Sequence, residues 1–304
     1  MEGVIEPIAS ALARAVGREA LAVIDRLPHV EVSWTLFVLP VAAIALLERA
    51  IPVERGQRFL SLPTAQDAVW LAVEMLMRAT LYFYVAGLLV WAHGWLTGGV
   101  TIWATRSWPV PVRALLGVMV YDLALYVHHR WHHQSSALWP FHTVHHSQER
   151  LSLFTAARFH VGEKVLARVM IFPPLVLLGL TQTETFLTAM LVAWHPRFYH
   201  ANLRTSLGPL WYVIVTPQSH RIHHSLDPQH RQRNFATHFP LWDMLFGTQH
   251  WRRDEYPATG IDDPAFPRAR SGWSLLTAPI AQTLYPFRRL RAGSPAARPP
   301  VSSR

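Results

Sequence analysis

The chain has 304 residues, 51% of them apolar and only 15% charged, with 13 Trp and a formal net charge of +9. Ordinary soluble domains carry about 25% charged residues, so this composition points to a membrane. The Lys and Arg are not gathered on one RNA-binding-like unit, so nucleic acid is not the expected partner. Cys is absent, which removes disulfides, Cys-zinc sites, iron–sulfur clusters and thiol nucleophiles together.

The elements are expected in the following order. Residues 1–31 form an N-terminal interfacial or packing segment; the first 28 hold four acids, three Arg and no continuous apolar core, so they do not read as a signal peptide. Residues 32–127 carry transmembrane helices, with candidate spans at 32–47, 68–92 and 109–127, since a crossing needs about 20 mostly apolar residues. Glu74 and Arg78, spaced i, i+4, can pair on one face of the second. Residues 128–256 form a His-rich catalytic region that includes a membrane hairpin at 165–199. Its two apolar pieces flank TQTE, each is about 24 Å long or less at 1.5 Å per residue, and Pro173-Pro174 breaks or kinks the first. Residues 257–304 are a basic, partly disordered tail suited to anionic lipid. The fold class is all-α: a multi-pass membrane helical bundle with a His-rich di-metal cap.

Thirteen of the 18 His lie between 128 and 224. One group begins where the third span ends and another where the hairpin returns, so both fall on one membrane face. Arg130, Arg150, Arg158, Lys164, Arg204, Arg221, Arg231 and Arg233 share that face, which the positive-inside rule makes cytoplasmic. The expected location is a bacterial inner membrane.

The spacings carry the chemistry. HTVHH at 142–146 and HRIHH at 220–224 each place three imidazoles on one helix face. HHRWHH at 128–133 offers two i, i+4 pairs, His128/His132 and His129/His133, and spacing alone does not choose between them. Eight imidazoles exceed the three or four protein ligands of a zinc ion and suit two iron ions. The Glu-x-x-His pattern of soluble di-iron bundles is missing. Lone His29 and His93 read as structural, and His230, His238 and His250 as non-ligands in a polar loop.

The chain resembles the sterol desaturase/fatty acid hydroxylase superfamily. The resemblance rests on YDLALYVHHRWHH, LWPFHTVHHS, RFHVGE, HANL, TPQSHRIHHS and NFATHFPLWDMLFGT, spanning roughly 115 to 250. It implies the register His129/His133, because Arg130 follows His129, and excludes His128 and His132. It further implies His142, His145, His146, His220, His223 and His224 as ligands, with His200 as a ninth. RFHVGE lacks the Pro that often follows this His in bacterial relatives, which leaves His160 without an assigned role. Among carboxylates that could orient imidazole N–H groups, Asp122, Glu149, Glu163, Asp227 and Asp243 are candidates, with Asp243 foremost. Asp122, Asp227, Asp243 and His160 are carried as outer-shell expectations.

The implied activity is that of a non-haem di-iron oxygenase that hydroxylates a lipid C–H bond with O2, hydroxylation ranking above desaturation by the same site. With no cytochrome b5-like extension, dinucleotide motif or Cys cluster visible, a separate electron donor of ferredoxin, cytochrome b5 or reductase type is expected. A zinc hydrolase would want His-Glu-x-x-His, which is absent. A metal transporter would place ligands within the spans rather than at their ends.

Overall fold

The computed structural model describes residues 34–59, 61–98, 105, 107–178 and 194–292. Among them the secondary structure is helical, with one isolated bridge between Ser225 and Thr259 and no strand. The expected N-terminal segment 1–31, the TQTE turn with most of the second hairpin piece, and the tail beyond Ala292 lie outside the described residues.

Helix α1 is Trp34–Ala50 and α2 is Leu62–Met77, started by Ser61, whose hydroxyl accepts from Thr64 N. A π-turn, Arg78–Tyr82, joins α2 to α3, Phe83–Thr97. The apolar run read as one span from 68 to 92 is thus two helices with a bulged turn between them. The turn falls where the Arg78 guanidinium bonds the Glu74 carboxylate at 2.7 Å. Helix α4, Val110–Gln134, is the one described helix long and apolar enough to cross a membrane by length and composition. It runs seven residues past the expected end, so HHRWHH is its last two turns rather than the start of a separate element.

Helix α5 is Trp139–His146 and α6 is Val161–Leu177. Pro173 and Pro174 do not break α6. Its Ala167, Ile171 and Leu175 pack on Val120, Tyr121, Ala124 and Leu125 of α4, and this apolar seam outweighs the lost backbone bonds, as neighbouring helices do in membranes. Short helices follow: α7, His195–His200, α8, Pro217–His223, and α9, Leu241–Leu245. Helix α8 opens with a capping box between Thr216 and Ser219.

Helix α10, Ser274–Arg291, lies within the stretch 257–304 that was expected to be a basic, partly disordered tail. Trp70, Val144, Phe266 and Tyr285 form one buried cluster that holds it to α2 and α5. Gln282, fully buried, accepts from Trp70 Nε1 at 3.0 Å. The basic residues near its end masked this apolar inner face in the sequence.

Beneath this helix the Arg158 guanidinium donates to Asp67 (3.1 Å), Gln66 (3.0 Å), Ser147 and the Val144 carbonyl. Both members of the ion pair are buried. Arg158 therefore ties α2, α5 and α10 together and does not contribute to the basic membrane face it was counted on. Asn202, of the HANL stretch, accepts from Val53 N and Glu54 N and donates to the Glu54 carbonyl, so the end of α7 is fastened to the loop after α1.

Candidate metal centre

Four helices converge on the histidines. The last turns of α4 supply His129 and His133, α5 supplies His142, His145 and His146, α7 ends on His200, and α8 supplies His220 and His223 with His224 just after it. These nine side chains are all buried. They fall into two groups whose ring nitrogens lie within 4.8 Å of one another: His129, His133, His142, His146 and His223; and His145, His200, His220 and His224.

The hydrogen bonds show which nitrogen each ring turns inward. His129 Nδ1 donates to the Phe235 carbonyl (2.7 Å), His223 Nδ1 to that of Arg233 (2.9 Å), His145 Nδ1 to that of Arg158 (3.1 Å), and His200 Nδ1 to that of Pro196 (2.7 Å). His142 Nδ1 donates to Glu163 Oε1 at 2.8 Å. A carbonyl only accepts, so these rings carry their proton on Nδ1. Burial keeps them neutral: it holds His142, His145, His146, His220 and His224 well below the ordinary value, His200 at about 3 and His223 at about 4. The Nε2 of His129, His142, His145, His200 and His223 is then a bare lone pair.

Those lone pairs face each other. His145 Nε2 and His200 Nε2 are 3.1 Å apart, His200 and His220 2.9 Å, and His220 and His224 3.0 Å. In the other group His146 Nε2 lies 3.1 Å from both His142 Nε2 and His223 Nε2, and His129 Nε2 and His133 Nε2 are buried with no protein partner among the described residues. His145 and His200 cannot share a proton between their Nε2 atoms, since both donate from Nδ1. Two lone pairs at that distance repel unless a cation lies between them. Metal–nitrogen bonds of about 2.1 Å place neighbouring nitrogens about 3.0 Å apart at right angles and about 3.4 Å apart at tetrahedral angles. The observed separations of 2.9–3.1 Å are in the range for nitrogens that share one ion.

The carboxylates act at different removes. Glu163 touches a ring directly. Asp243 accepts from Phe235 N (2.8 Å), Ala236 N (2.7 Å) and Thr248 Oγ1 (2.6 Å), so it shapes the loop whose carbonyls hold His129 and His223 but reaches no imidazole. Asp122 does the same for the next stretch, accepting from Thr237 Oγ1, His238 N, Phe239 N and Trp242 Nε1. Asp227 accepts only from Gln229 N two residues on, a local turn. His160 accepts from Gly162 N at the start of α6 and donates to the Thr283 carbonyl, so it joins α6 to α10 and stays out of the site. Glu149 bonds Arg268 at the surface.

Sequence reasoning passed over the carbonyls of Arg158, Pro196, Arg233 and Phe235, which leave no trace in residue type. Phe159 was also passed over, its ring stacked on His145 with centroids 4.1 Å apart. His128 and His132 form a separate trio with Glu163, and His132 Nδ1 donates to the His128 carbonyl. His230 and His250 both donate to Glu255 Oε2, at 3.0 and 2.8 Å, closing a surface loop.

A cavity of about 350 Å³ opens onto the rings of His129, His142, His145, His200 and His220. Its far wall is apolar, with Tyr121, Leu125, Ala167, Ile171, Phe172 and Leu175.

The family model for fatty acid hydroxylase matches residues 114–248. An ornithine lipid hydroxylase of Rhizobium tropici is 29% identical over 220 residues, covering 71% of this chain and 66% of that protein. Alkylglycerol monooxygenase of Danio rerio is 33% identical over 135 residues, covering 44% and 29% respectively, and that of Homo sapiens is 30% identical over 168 residues, covering 50% and 35%. This chain spans between 29% and 66% of the length of these relatives. No solved structure matches. Through residues 114–248 the chain is similar to the fatty acid hydroxylase family.

Proposed function

We propose that this chain is a membrane-bound, O2-dependent lipid hydroxylase with a di-iron centre. The observation that carries the reading is the two groups of buried imidazoles whose Nε2 atoms converge to 2.9–3.1 Å. Imidazole suits iron, and the named relatives are a lipid hydroxylase and a monooxygenase. One ion is assigned to His129, His133, His142, His146 and His223, the other to His145, His200, His220 and His224. Bound there, the iron pair supplies the activation of O2 that C–H oxidation requires.

The protein's own part is position and exclusion. The Nδ1 partners fix the tautomer and direction of His129, His142, His145, His200 and His223. The apolar wall of Ile171, Phe172 and Leu175 takes a lipid chain and keeps water from the rings. Electrons come from a separate donor of ferredoxin, cytochrome b5 or reductase type.

The membrane reading assigns α1, α2–α3, α4 and the hairpin that begins with α6 to the bilayer, with the histidines at the cytoplasmic face. Supporting it, Leu39, Leu46, Leu76, Leu88, Trp95 and Leu115 turn outward and are exposed, a surface too apolar for water. On α10, Leu276, Ile280, Leu284 and Phe287 also face outward, the stripe of a helix lying at the interface.

Cells making the protein under 18O2 are expected to yield a membrane lipid carrying one labelled oxygen, missing when His145 is Ala. Label arriving from water overturns the proposal. An unlabelled product with one more double bond makes the enzyme a desaturase with the same site.

A further inference from the structure

The cavity beside the histidines has a third wall that is neither apolar nor ligating. Glu74 and Arg78 reach it from α2 and the π-turn, Lys164 and Arg168 from the first turns of α6, and Arg197 from α7. These groups come from three separate stretches of the chain, 74–78, 164–168 and 197. They are one electrostatic unit, because Arg78, Lys164 and Arg197 all act on the Glu74 carboxylate. Counting Glu163, which is engaged by His142, the described lining residues include four cations and two acids.

Charge in such a place is costly. Each of these residues lies on or beside a helix that also walls an apolar chamber, and unneutralised charge next to lipid is rare outside functional sites. Arg78 has Glu74 at 2.7 Å. Lys164 differs: its ammonium lies 3.5 Å from the Phe159 ring centroid, and no acceptor among the described residues is in hydrogen-bond reach of it. Arg168 spends one N–H on the Lys164 carbonyl at 3.1 Å, which holds its guanidinium on the same side of α6. An ammonium over an aromatic face, beside two further guanidiniums, is a cradle for an oxyanion.

We propose that this wall is the headgroup subsite of the lipid-binding cavity, and that the lipid bears an anionic group, a phosphate or a carboxylate, held by Lys164 with Arg168 and Arg197. The proposal rests on the lipid-hydroxylase reading and adds the substrate's charge to it. The anion bonds the basic wall, the chain lies along Ile171, Phe172 and Leu175, and the carbon between them faces the imidazoles. Glu74 keeps Arg78 in place, and the Lys164 ammonium keeps its donors for the anion. A neutral alkylglycerol offers that wall hydroxyl acceptors but no charge. The volume of about 350 Å³ sits at the lower end of the range of about 300–1,000 Å³ usual for ligand sites, enough for a headgroup and the nearest part of a chain.

The test is a binding measurement on the full chain in neutral detergent, without turnover. Quenching of Trp fluorescence follows titration with dodecyl phosphate, dodecanoate, 1-O-dodecylglycerol and inorganic phosphate. Both anionic amphiphiles are expected to bind at least tenfold more tightly than dodecylglycerol. Lys164→Gln is expected to remove about tenfold of that preference and Lys164→Arg to restore it. Arg252→Gln, at an exposed site away from the cavity, is expected to leave it unchanged. Equal affinity for the charged and uncharged amphiphiles overturns the proposal, as does a preference that survives Lys164→Gln or falls equally with Arg252→Gln. Inorganic phosphate binding as tightly as dodecyl phosphate also overturns it, since the site would then take a free anion rather than a lipid. Anion preference in a protein that incorporates no 18O leaves this subsite standing and sinks the hydroxylase reading. Turnover without the preference does the reverse.

Discussion

Glu163→Gln isolates one contact and has a magnitude that follows from the structure. Glu163 Oε1 accepts the His142 Nδ1 proton at 2.8 Å, and the two side chains are 3% and 1% exposed. The carboxylate fixes the ring's tautomer and makes its Nε2 a stronger donor toward an ion. Gln keeps the shape and an acceptor oxygen but removes the charge, and a charge-assisted bond is roughly twice as strong as a neutral one. Loss of such an outer partner costs about 10–100-fold in metal affinity, or about 1.4–2.7 kcal/mol. Glu163→Ala goes further, because it leaves a buried N–H unpaired at about 1–3 kcal/mol. Competition between the detergent-purified protein and a chromogenic chelator for Fe(II) reads these losses, with circular dichroism as the folding control. Affinity in Glu163→Gln equal to that of the natural chain refutes the assigned role, and so does an Ala variant no weaker than the Gln variant.

Acidification tests the neutral rings. His200 and His223 sit at about 3 and about 4 against an ordinary 6.5. Between those limits the unfolded chain binds more protons than the folded one, so stability falls as pH drops below about 6.5 and these rings contribute no slope above it. Thermal unfolding of the metal-free protein from pH 8 to pH 5 checks this; an unchanged midpoint between pH 7 and pH 5 contradicts it. Asp67→Ala strands the buried Arg158 guanidinium and is expected to cost about 3–5 kcal/mol, seen as a large fall in unfolding temperature, whereas a fall of a degree or two would deny the pair its structural weight. His129→Ala is expected to lower metal content and His132→Ala to spare it, since only His129 points its Nε2 into the five-imidazole group; equal losses would show that the two registers are not distinct.

The clustering of the histidines was legible because HTVHH and HRIHH place their residues at helical spacing, whereas His200 was reached through the family resemblance alone. The division into two groups was not. That His145 leaves its HTVHH neighbours to join His200, His220 and His224 depends on how α5, α7 and α8 cross, which spacing does not encode. The outer partners were misjudged for a related reason. Asp243 sits in a dense motif and looked like the ring-orienting acid. It instead spends its oxygens on the backbone of Phe235 and Ala236, and Glu163 bonds His142. Four of the five Nδ1 acceptors that fix these rings are backbone carbonyls or depend on one turn of chain geometry, invisible to residue type. Pro173-Pro174 signalled a break that packing against α4 overrides. The terminal arginines hid a helix, Ser274–Arg291, whose Tyr285 and Gln282 are core residues.

The central claim is that the nine imidazoles form two ion sites, one of five ligands and one of four. Its most direct measurement is the iron-to-protein ratio of purified, active enzyme by elemental mass spectrometry. About two ions per chain is the expected ratio for this donor set, falling to about one when His200, His220 and His224 are replaced together in a chain that still folds. A ratio of one in the active natural chain would contradict the two-site account.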